Sequence, residues 1–128
     1  MIKRIEAVYS IVIGISILGM WSMILLTGGI SEPPIEISLH LISEFSMAIL
    51  LLISGISILR GKIYGKTIFL ISNGMLIYSV LNAAGYYGQR NNFAMVGMFV
   101  VIFIISSIFM VTETIRRSSK LIDTQANY

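Results

Sequence analysis

Apolar residues along this chain fall into four uninterrupted blocks, residues 7–27, 38–59, 67–88 and 93–112. Each is close to the roughly 20 residues that a helix needs to cross a hydrocarbon core about 30 Å thick. Turn-forming or charged residues stop every block at both ends. Gly28, Gly29, Pro33 and Pro34 close the first and open the second, proline being tolerated in a first helical turn where its missing N–H leaves no bond unmade. The run from Arg60 to Lys66, with Gly61 and Gly65 inside it, divides the second from the third, and Gly88, Gln89, Arg90, Asn91 and Asn92 divide the third from the fourth. Connections this short leave consecutive helices as antiparallel neighbours. The pattern predicts an all-α integral membrane protein: an antiparallel bundle of four transmembrane helices forming a single domain over residues 1–128.

Composition agrees with the pattern. Only 12% of residues are charged and 56% are apolar, with a mean hydropathy of +0.90. A soluble domain carries about 25% charged residues to cover its wetted surface. Cysteine is absent, which excludes disulfides, thiolate nucleophiles, thiolate metal sites and iron–sulfur clusters. A net charge of +3 and a pI near 9.4 would point to nucleic acid in a soluble protein. Here the charges sit at helix ends, where they mark orientation, and no nucleic-acid partner is expected.

The positions of those charges sharpen the picture. With four spans, both termini and the middle loop share one side. That side holds Lys3, Arg4, Arg60, Lys62, Lys66, Arg116, Arg117 and Lys120, against Arg90 alone on the other, which also carries Glu32 and Glu36. The asymmetry predicts a cell-membrane protein with both termini in the cytoplasm. Lys3 and Arg4 ahead of an apolar run also resemble the start of a secretory signal, but a run of about 21 residues exceeds the 7–15 of a signal core and no A-x-A-like site follows. The first block is therefore expected to be retained as a span. Residues 118–128 form a polar tail, expected to fray or to be disordered.

Chemistry in such a chain is sought among polar residues inside spans, because ionisable groups are costly in hydrocarbon and normally face a bundle interior. Glu44 lies six residues past Ser38, about 9 Å below the outer edge of its span at 1.5 Å per residue. His40, one (i, i+4) step nearer the outside, shares its face. Asn82 lies at a matching depth of about 9 Å in the third span, which runs the other way, and shares a face with Tyr78, Tyr86 and Gln89. Trp21 and Ser22 reach a similar depth in the first span. The expected site is an outward-facing polar pocket of His40, Glu44, Tyr78 and Asn82, with Trp21, Ser22, Tyr86 and Gln89 as secondary members. The plainer reading makes Asn82 and His40 helix-packing groups. Tyr86, with Tyr87, then belongs to an interfacial aromatic belt. Asn73, half a turn out of phase with Asn82, is expected at a helix–helix contact.

Three function classes follow. The leading expectation is a non-enzymatic membrane module, a subunit or accessory protein whose pocket binds a small ligand, a lipid or a partner helix. The second is an oligomeric proton-coupled transporter or channel using Glu44. The third is a haem- or copper-binding protein using His40 with Met47, Met95 or Met98, since imidazole and thioether suit Cu(I). Methionine is equally a filler of irregular apolar gaps. A single histidine and a single deep carboxylate make a thin constellation for catalysis. No phosphate-binding loop, nucleophile elbow, HExxH or dinucleotide fingerprint occurs. Ser10 and Gly14 form a small-xxx-small pair suited to close packing within the bundle or to a homodimer face, and membrane lipid, a homodimer or a larger membrane complex are the partners expected.

Overall fold

A computed structural model describes all residues, Met1–Tyr128. The chain is entirely helical, with α1 (Ile2–Thr27), α2 (Pro34–Leu59), α3 (Gly65–Gln89) and α4 (Phe93–Ala126). All four are long and apolar enough to cross a membrane, the signature of a multi-pass membrane protein. The helices overrun the four apolar blocks. α4 shows this most: it has 34 residues, about 51 Å of rise, and carries the polar tail as continuous helix to Ala126. Helix continues there because no glycine or proline follows Gly97, and Ser, Thr and charged residues do not stop a helix already under way.

The connections end the helices by left-handed closures. Gly61 (φ 68°) follows α2, with Lys62 N–H donating to Ser57 O at 2.9 Å and Gly61 N–H to Ile58 O at 3.0 Å. That pair of bonds is the Schellman arrangement, which satisfies the last carbonyls of a helix. Asn91 (φ 57°) repeats it after α3, with Asn92 N–H donating to Tyr87 O at 3.0 Å and Asn91 N–H to Gly88 O at 3.1 Å. Asn92 then opens α4, its side-chain oxygen accepting from Met95 N–H at 3.4 Å.

The chain forms two compact units, Met1–Ser72 and Asn73–Tyr128. In the first, α1 buries Glu6, Ala7, Ser10, Gly14 and Ile17, and α2 buries Glu44, Met47, Ala48, Leu51, Ser54, Gly55, Ser57 and Ile58. Both sets advance by alternating steps of about three and four, the spacing of a left-handed helix seam. The register is read from two glycines. A Cβ on Gly55 would lie 2.7 Å from Ala7 O and 2.6 Å from Ile11 Cγ1, and one on Gly14 would lie 3.0 Å from Ala48 O. The start of α1 thus meets the end of α2, so the two run antiparallel, and each seven-residue step up one is a seven-residue step down the other. Close backbone approach of this kind is what glycine permits between helices that have no hydrophobic drive to associate in lipid.

In the second unit, Asn73 Nδ2 donates to Ser106 O at 2.7 Å in a fully buried contact between α3 and α4. This is the interhelical role expected for Asn73. Most hydroxyls inside the spans bond their own helix, as Ser16 does to Val12 O, Ser107 to Phe103 O and Thr112 to Ile108 O. A hydroxyl satisfied this way can face an apolar medium without an unmade bond. The remaining surface of all four spans is dominated by exposed Ile, Val and Leu.

Candidate functional site

One register step beyond the Gly14–Ala48 contact, the α1–α2 seam reaches Trp21 on α1 and the turn from His40 to Glu44 on α2. Glu44 is only 6% exposed. Trp21 Nε1–H donates to Glu44 Oε2 at 3.4 Å, and the edge of the Trp21 ring meets the His40 ring, with centroids 5.3 Å apart and planes at 68°. His40 itself is exposed. The result is graded: a buried carboxylate, an indole beside it, and an imidazole at the exposed rim one turn along. A carboxylate in such a place accepts hydrogen bonds and balances positive charge, and the indole adds a π face and one donor.

The other expected members lie elsewhere on their helices. Ser22 is exposed on α1. On α3, Tyr78 is 71% exposed and Asn82 and Gln89 are also exposed, on the side opposite the buried Asn73, Leu76 and Val80. Tyr86 sits edge-on to Tyr87 at 5.2 Å with the Arg90 guanidinium 3.5 Å over its ring, and Tyr87 stacks on Phe99 at 5.8 Å. These contacts gather three aromatic rings and an arginine at the end of α3 and the start of α4.

The methionines divide similarly. Met47 is 1% exposed and fills the α1–α2 seam, whereas Met98 is exposed on α4 and Met95 half-buried. His40 and Met47 share a helix but stand seven residues apart, about 10.5 Å of rise, the first exposed and the second buried. No group of three or more His, Asp or Glu side chains converges to hold a metal ion.

Two buried carboxylates escaped the reading by span position. Glu6 and Glu113 are fully buried. Glu113 Oε2 lies 3.4 Å from Arg116 Nη1 and its Oε1 3.5 Å from Arg117 Nε. The signal for Glu6 was its helical phase, four residues before Ser10 and eight before Gly14. For Glu113 it was a pair of arginines at i+3 and i+4. A shallow groove of about 390 Å³ on the α3–α4 unit, lined by Ile77, Ser107, Met110, Val111, Thr114 and Ile115, is apolar because its hydroxyls bond their own helix.

Residues 1–126 match the family described as a domain of unknown function, DUF8058. The chain belongs to the DUF8058 family. Its match covers all four helices of this DUF8058 chain, so the Trp21–His40–Glu44 cluster lies within the family's domain. No curated protein and no solved structure matches it.

Proposed function

We propose that the chain is an antiparallel four-helix protein of the cell membrane, with both termini in the cytoplasm, that works as a non-catalytic binding module for an amine-bearing ligand. The observation that carries the reading is Glu44: a carboxylate buried between α1 and α2, in contact with an indole N–H and reached past an exposed imidazole. A buried carboxylate favours a cation that brings its own hydrogen-bond donors, and an ammonium group supplies both the charge and up to three N–H bonds. The eight basic residues at the opposite ends of the helices support the orientation, with the site toward the outer face. The ammonium belongs either to a free amine or to the headgroup of an amine-bearing lipid.

Trp21 is the only tryptophan, so its fluorescence reports on the site alone. Purified protein in phosphatidylcholine nanodiscs is titrated with ethylamine in one arm. In the other, phosphatidylethanolamine replaces part of the lipid. A saturable change in Trp21 emission in either arm, lost in Glu44→Gln, supports the reading and identifies the source. An unchanged emission in both arms, or an equal response from Glu44→Gln, overturns it.

A further inference from the structure

The exposed face of α3 has a regular spacing that the Glu44 site does not use. Ile71, Met75, Tyr78, Asn82, Gly85 and Gln89, all exposed except the half-buried Met75, follow one another by steps of four, three, four, three and four. That is the alternation that keeps one seam facing a partner helix. At 100° per residue the seam lies opposite the buried Asn73, Leu76 and Val80. Asn82 is exposed and its amide makes no hydrogen bond inside the chain. It stands five residues from the middle of α3, about 7.5 Å, whereas the hydrocarbon extends about 15 Å either side of its centre. An amide left facing acyl chains is unfavourable because lipid offers it neither donor nor acceptor. One turn away, a Cβ built on Gly85 would meet nothing within 4 Å, leaving room for another backbone to approach.

We infer that a second copy of this chain covers this face, α3 packing in parallel against its counterpart about a two-fold axis along the membrane normal. The chemistry selects a copy of itself. A two-fold axis sets Asn82 opposite the same residue, and a carboxamide is self-complementary, each NH₂ donating to the other carbonyl. An asparagine at hydrocarbon depth, with the seam's other amide, Gln89, at the very end of α3, is a known means of fixing register and partner number. Spacing near 3.5 residues per turn gives the pair a left-handed crossing.

The native chain contains no cysteine, so single-cysteine variants are clean. Met75→Cys, Tyr78→Cys and Gly85→Cys are reconstituted in phosphatidylcholine vesicles and mildly oxidised. Leu81→Cys, exposed on α3 but about a quarter-turn off the seam, is the control. Disulfides need Cα atoms within about 7 Å, so the three seam positions cross-link severalfold more than Leu81→Cys. Energy transfer between labelled copies over a lipid dilution series then measures association. Asn82→Leu weakens it about 3- to 10-fold with helix content unchanged, the range expected for loss of one or two interhelical hydrogen bonds in a bilayer. Cross-linking that peaks at Leu81→Cys, a chain monomeric throughout the dilution, or association indifferent to Asn82→Leu each overturns the proposal.

Discussion

Gly55→Ala is the sharpest test of how α1 and α2 are held. The added methyl would lie 2.7 Å from the Ala7 carbonyl oxygen, about 0.7 Å short of the 3.4 Å at which ordinary contact begins. A flexible side chain such as Ile11 can swing aside, but a backbone carbonyl in mid-helix cannot. The helices must therefore part. A gap of 0.5–1 Å forfeits roughly a quarter to a half of each dispersion contact along the seam, and overpacking of this kind costs about 1–3 kcal/mol. Against that stands a gain of about 1 kcal/mol in helix propensity when glycine becomes alanine. The same gain applies at Gly19 on the exposed side of α1, where an added Cβ meets nothing within 4 Å. Comparing the two substitutions cancels the propensity term and isolates the close approach. Unfolding in mixed micelles, followed by helical circular dichroism, should place Gly55→Ala about 1–3 kcal/mol below Gly19→Ala. Equal stabilities would refute the register and the packing argument built on it.

Two further outcomes follow from the second unit. Asn91 holds a left-handed φ of 57° at the Schellman closure of α3, so Asn91→Gly should be neutral or slightly stabilising and Asn91→Ala should lose about 1 kcal/mol in the same unfolding assay. Asn73→Leu removes the buried amide bond to Ser106 O, and a loss near 0.6 kcal/mol, at most about 1.7, is expected; a loss several times larger would mean that the amide does more than join α3 to α4.

Four spans are legible in the hydropathy pattern because each is bounded by glycine, proline or charge. The extension of α4 to Ala126 was less visible, since hydropathy falls away after Thr112 while the residues beyond remain good enough helix formers to continue. The site divides along the same line. Depth could be counted from sequence, and the counting brought Glu44 and Trp21 to one level with His40 a turn nearer the outside, where the structure has Trp21 in contact with both. Azimuth could not be counted for Tyr78 and Asn82, because α3 is apolar nearly all round and its sequence does not distinguish the packed side from the free one. Only the burial of Asn73, Leu76 and Val80 separates them. Glu6 and Glu113 lie just outside the apolar blocks 7–27 and 93–112, so a search for polar residues inside spans passes over them, yet both are fully buried.

The Asn73–Ser106 bond and the Trp21–Glu44 bond share a property that bears on assembly. Each joins helices adjacent in sequence, α3 to α4 and α1 to α2, across a connection of a few residues. A membrane protein made from its N-terminus delivers these helices in order. The polar groups of the first pair can be answered as soon as α2 is complete, and those of the second as soon as α4 is. Each antiparallel pair can therefore leave the insertion machinery with its main interhelical polar contact already closed, so that neither pair exposes that contact to lipid while waiting for the other.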